Sequence, residues 1–191
     1  MEEAPVKVFC RLVRARSREN SGALRWLHKA DAGFVSPMVS IVRQELDSMI
    51  RAVYLLSIAE MEYRNALVLA SVENRPWKTK NGRKITDRMM IDLAQRLHGW
   101  TQSVYTFGCA FVHLSSFHDH GHRDPIKAIS ADERAAILRH MQYYHGGPAG
   151  PEFSFDDLVP YLPSVLEKIS GNLDCYLKDL EAGKVLDRRT E

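Results

Sequence analysis

The stretch Ser36–Ser71, SPMVSIVRQELDSMIRAVYLLSIAEMEYRNALVLAS, decides the fold. Ser36 at a capping position followed by Pro37 is a pre-organised helix start. The serine oxygen accepts an otherwise orphaned backbone N–H, and proline has none to satisfy. Val42, Leu46, Met49, Val53, Leu56, Leu67 and Ser71 then recur on one face, and neither Gly nor Pro interrupts until Pro76. That spacing predicts one helix over about residues 37–73, about 50 Å long.

On its C-terminal side, residues 74–86 read NRPWKTKNGRKIT and break the period. Asn81-Gly82 between two short flanks is a type I′ turn signal and predicts a small basic hairpin or loop. Thr86 and Asp87 then open a second long helix, because Thr caps and a carboxylate suits the first turn. Met89, Met90, Leu93, Leu97, Trp100, Val104, Phe107, Phe111 and Leu114 carry its apolar stripe over 86–117. Ser130-Ala-Asp-Glu133 is a capping box and starts a helix over 131–144. GGPAGP at 146–151 is loop, and Leu162, Val165, Leu166, Ile169, Leu173, Leu177 and Leu180 mark a last helix over 162–181. Four main helices and almost no strand predict an all-α, antiparallel helical bundle over 36–183. Before it, residues 1–35 read as a basic arm with a short helix at about 23–30, stopped by Gly33. Residues 184–191 read as a frayed tail.

Composition narrows the function classes. At 191 residues, 45% hydrophobic and 26% charged, the chain can bury one real core and reads as soluble. No apolar run reaches about 18 residues, so no membrane is expected as a partner. The N-terminus MEEAPVKVFCRLVRAR lacks an apolar signal core. Cys10, Cys109 and Cys175 are odd in number and dispersed, which argues against a disulfide scaffold or zinc ribbon and for a cytoplasmic location. The net charge of +2 hides two basic segments. Residues 1–30 hold Lys7, Arg11, Arg14, Arg16, Arg18, Arg25 and Lys29. Residues 75–88 hold Arg75, Lys78, Lys80, Arg83, Lys84 and Arg88 against Asp87 alone. Such segments are either solvated surface or a footprint for phosphates.

Four constellations could carry chemistry. Glu60 and Arg64 lie four residues apart on the stripe of the first long helix. They are either an inward-facing charged pair or an ordinary surface pair. On the far face of the second helix, His98, Gln102, Tyr105, Cys109 and His113 line up, with Gly108 and Ala110 permitting close approach. They form either a buried hydrogen-bonded network or part of a catalytic pocket. His118, Asp119, His120, His122 and Asp124 crowd one segment, either as metal ligands or as an exposed helix end. Arg134–His140 and Arg139–His145 each place five residues between an Arg and a His.

With these residues the layout resembles the HEPN superfamily, small all-helical bundles, often dimeric, whose ribonuclease members carry an Arg-x4–6-His motif. In those members a polar residue commonly follows the Arg, as His140 follows Arg139. RQELDSMIRAVYL (43–55) and YTFGCAFVHLS (105–115) are also similar to a bacterial HEPN-like family, through Arg43 and Asp47, then Tyr105, Cys109 and His113. The resemblance covers about residues 37–180 in layout and some two dozen residues in motif. It implies a homodimer that acts on RNA or a nucleotide as a defence or toxin-type protein, and metal-independent RNA cleavage that needs no cofactor. His145 or His113 would be the acid or base and Arg139 the phosphate stabiliser, with Glu60, Arg64 and Tyr105 in the same pocket. Arg75, Trp77, Lys78, Lys80, Arg83 and Lys84 would steer RNA by charge and stacking. The commoner role for such a Trp77 is an ordinary half-buried loop anchor. Two rival readings are a metal-binding helical protein using His118, His120, His122 and Asp124, and a non-catalytic interaction module.

Overall fold

A computed structural model describes residues 4–30 and 33–186. The chain is all-α, and no strand forms among the described residues. Eight α-helices follow in order: α1 Pro5–Lys29, α2 Val35–Leu56, α3 Met61–Val72, α4 Asp87–His98, α5 Thr101–Val112, α6 Pro125–Ala128, α7 Ala131–His145 and α8 Leu162–Glu181. Two 3-10 turns lie at Ser116–Asp119 and Val159–Tyr161. No helix among the described residues is long and apolar enough to cross a membrane.

The expected elements are present, but three boundaries move. The helix expected over 37–73 is two, α2 and α3, separated by residues 57–60. The helix expected over 86–117 is also two. Gly99 takes a left-handed conformation (φ 72°), closes α4 with a hydrogen bond to the Gln95 carbonyl, and α5 ends at Val112. Residues 5–29, read as an arm, form one helix in which Phe9, Cys10 and Leu24 are buried. Residues 187–191 of the expected tail lie outside the described residues. Two caps match the sequence: Thr86 accepts from the Met89 N–H, and Ser130 and Glu133 complete a capping box. The expected Ser36 cap is corrected: α2 begins at Val35, so Ser36 and Pro37 lie within its first turn.

The residues divide into two compact units. Unit 1 comprises the described parts of Met1–Glu19, Asp47–Gly99 and Ser170–Glu191; unit 2 comprises those of Asn20–Leu46 and Trp100–Ile169. In unit 1 the buried apolar residues include Met49, Val53, Leu56, Val68, Met90, Ile91, Leu173 and Leu177. The first part of α1 is held there by Arg14. Its guanidinium donates to Glu181 at 2.6 and 2.9 Å and to Asp174 at 3.3 Å. That guanidinium holds the Glu181 carboxyl below its ordinary value. Cys10 is buried, and its thiol is pushed up to about 11, chiefly by burial.

In unit 2 the core includes Val39, Val42, Leu46, Ile126, Met141, Leu162 and Ile169. Phe107, Phe111, Phe117 and Phe155 form an aromatic cluster with ring centroids 5.2 to 5.7 Å apart. Here α2 and α5 approach closely. A Cβ on Gly108 would sit 2.8 Å from the Arg43 Cβ, so only glycine fits. The Arg43 guanidinium lies 3.9 Å from the centre of the Tyr105 ring.

Candidate nucleic-acid interface

Residues 76–86 of unit 1 form the basic hairpin. Lys78 and Lys84 make an isolated antiparallel bridge, Thr79 donates to the Arg83 carbonyl at 2.7 Å, and Ile85 donates to that of Trp77 at 2.9 Å. The turn is not type I′, because Asn81 keeps a negative φ. Gly82 instead takes φ 76° and donates to the Thr79 carbonyl. One left-handed residue after a tight turn closes the hairpin with a single glycine.

Trp77 pins this hairpin to the unit. It is 4% exposed, its indole N–H donates to Ser71 Oγ at 2.7 Å, and its ring centre is 5.9 Å from that of Tyr54. The expectation that Trp77 stacks on a base is therefore corrected. The face it would need is spent on Tyr54 and on the Arg51 guanidinium, 5.4 Å from its ring centre. The aromatic side chain at the adjoining surface is Tyr63, on α3. A cleft of about 260 Å³ is lined by Tyr63, Ala66, Leu67, Ala70, Arg75, Pro76 and Lys78. Tyr63 donates its hydroxyl to the Lys78 carbonyl at 2.8 Å. Sequence reading passed over Tyr63, which carries no motif and enters the site only because the hairpin folds back on α3.

The cations around this cleft are not equivalent. Lys80 pairs with Glu60, and Arg75 pairs with Glu73, its Nε 2.6 Å from the carboxylate. Lys78, Arg83 and Lys84 are exposed and pair with no carboxylate among the described residues. Three uncompensated charges within the seven residues from Lys78 to Lys84 attract a polyanion more strongly than paired ones, which must first give up a partner.

The other expected residues do not assemble one pocket. Glu60 and Arg64 fall in unit 1, and Tyr105, His113, Arg139 and His145 in unit 2. Glu60 is exposed at the N-terminus of α3. Arg64 is 1% exposed and donates to two main-chain carbonyls. Its Nε reaches Ile58 O at 3.0 Å and its Nη1 reaches Lys184 O at 2.8 Å. Burial lowers its pKa, and it pairs with no carboxylate among the described residues. His98, expected to share a face with Tyr105 and His113, accepts or donates at 2.8 Å with the Tyr176 hydroxyl in unit 1.

In unit 2, Tyr105 meets Arg43, but His113 is exposed at the end of α5. Arg139 is exposed. His145 ends α7 half-buried, with its pKa lowered by burial and then by the Lys168 ammonium. Six residues of helix separate the Arg139 and His145 side chains by about 120°. The histidine segment is also dispersed. His122 contacts Asp119 at 2.9 Å, His118 meets the His113 carbonyl at 3.2 Å, and His120 packs on Phe155. Asp124 Oδ1 accepts from the N–H groups of Ile126 and Phe155, each at 3.0 Å, so it caps α6. No three metal-ligating side chains gather among the described residues, and the expected set of His118, His120, His122 and Asp124 is corrected accordingly. No family model, no curated protein and no solved structure matches this chain.

Proposed function

We propose that this chain is a HEPN-like RNA-binding protein that engages single-stranded RNA on unit 1. Phosphates would lie along Lys78, Arg83 and Lys84, and one unstacked base would enter the cleft against Tyr63 and Pro76. The observation that carries the reading is the set of three exposed, unpaired cations on a hairpin anchored by Trp77. Single strands suit such a surface, because every base offers a π-face and every nucleotide a charge. A cleft of about 260 Å³ accommodates one base and not a duplex.

The test is fluorescence anisotropy with a labelled oligoribonucleotide across a salt series. Wild type is expected to bind with a steep salt dependence. The triple variant Lys78→Ala/Arg83→Ala/Lys84→Ala is expected to lower the log–log salt slope by about 2, the loss of three phosphate contacts on a single strand. Tyr63→Ala is expected to weaken binding about tenfold with the slope unchanged. An unchanged slope in the triple variant removes the hairpin from the interface.

Cleavage is the second reading, and one observation favours it. His145 is held toward its neutral, proton-accepting form beside the Lys168 cation, as a general base acting on a phosphodiester requires. The same oligonucleotide, incubated with EDTA and run on a gel, separates the two readings. Cleavage by wild type that is lost in His145→Ala supports a ribonuclease; an intact oligonucleotide leaves binding alone.

A further inference from the structure

The core of unit 2 contains a cavity of about 100 Å³, walled by α2, α5, α7, α8 and the segment around Phe155. Native cores pack to crystal density, and voids that would hold more than a water molecule are few. The lining is almost wholly apolar, with Val42, Phe107, Met141 and Leu162 on four different helices. Its half-buried members, among them Ile137 and Val165, put a mouth at the surface. Water gains little in such a space, because a water molecule needs two to four polar partners. An apolar cavity of roughly 150 Å³ in another protein stays dry and takes up benzene, so this smaller one, open at its mouth, takes at most a single ring.

One polar feature marks the wall. His140, on α7, lines the cavity, and its Nδ1 is buried with no hydrogen-bond partner among the described residues. Buried polar groups without a partner are rare and costly, and each calls for an explanation. Ser103, on α5, adds a hydroxyl to the same lining. An apolar chamber with a few polar groups is how small-molecule sites fix the orientation of a ligand.

We propose that this cavity is a binding site for a one-ring hydroxylated molecule of the phenol class, its ring in the apolar chamber and its hydroxyl donating to His140 Nδ1 after a small turn of the imidazole. Burial, and then the neighbouring Arg139 cation, lower the pKa of His140, which keeps the ring neutral and able to accept. The site is separate from the hairpin surface of unit 1 and does not depend on the RNA reading.

The experiment is a titration of the full chain, ¹³C-methyl labelled, with phenol, toluene and 1-naphthol, followed by NMR. Toluene matches phenol in shape and lacks the donor; 1-naphthol adds a second ring. Phenol is expected to shift the methyl signals of Val42 and Leu162 saturably and to bind about tenfold tighter than toluene. 1-Naphthol is expected to bind far more weakly. In His140→Phe the advantage of phenol over toluene is expected to disappear, and in Val104→Phe, which fills the chamber, both ligands are expected to be lost. Absence of a saturable shift with phenol overturns the site, and equal affinity for phenol and toluene overturns the role of His140. The three-ligand comparison on the wild-type chain decides both points even where a variant fails to fold.

Discussion

Arg64 shows how far a single residue could be read from its spacing. Its place on the apolar stripe of Val53, Leu56 and Leu67 left an inward and a surface guanidinium both open, and it is 1% exposed. Its partner was not legible. Glu60 stands four residues earlier, but the helix breaks over residues 57–60, and the freed Ile58 carbonyl, with that of Lys184, takes the guanidinium instead. A buried cation bound to carbonyl oxygens gives directional hydrogen bonds without a carboxylate to desolvate. Arg64→Met is expected to lower the unfolding free energy by about 3 kcal/mol, because two or more charged hydrogen bonds are lost and carbonyls are left bare. Glu60→Gln is expected to change it by less than about 0.5 kcal/mol, since its pairing with Lys80 is at the surface. Urea denaturation of both variants checks the pair; equal losses would mean that the carbonyl cage is not what holds Arg64.

At the scale of elements, the sequence was most reliable where a start signal is local. The capping box at Ser130 and the Thr86 cap are short-range chemistry, and both form as expected. It failed where the deciding contact is distant. The helix α1 shows no long apolar period, and its first part is fixed by Arg14 binding Asp174 and Glu181, about 160 residues away along the chain. Nothing within 57–60, which contains neither Gly nor Pro, announces a break. Gly99 did carry a signal, outweighed by the apolar stripe on both sides of it. The candidate site divides in the same way: the cations of the hairpin were legible from composition, whereas Tyr63 depended on folding. The small residues at 108–110 were read as permitting a close helix approach, but that α2 is the partner was not legible. Gly108→Ala places a methyl 2.8 Å from the Arg43 Cβ. It is expected to cost about 2 kcal/mol through overpacking, read as a lowered thermal midpoint by circular dichroism. An unchanged midpoint would show that α2 and α5 can part at no cost.

For the whole molecule, the two units are interleaved in sequence. Unit 1 is assembled from three stretches of chain and unit 2 from two, and α1, α2 and α8 each contribute residues to both. Neither unit can be cut out as a single contiguous fragment. Helix formation is cooperative along its length, so losing one part of such a helix weakens the rest. The burial of the tryptophans turns this arrangement into a spectroscopic experiment. Trp77 in unit 1 and Trp100 in unit 2 are 4% and 5% exposed, whereas Trp26 is 67% exposed. With Trp26→Phe as background, Trp77→Phe and Trp100→Phe each leave one shielded indole, whose emission moves to longer wavelength when its own surroundings admit water. Identical fluorescence midpoints for the two reporters are expected, the mark of all-or-none melting. Separated midpoints would mean instead that one half of the protein can be open while the other still glows blue.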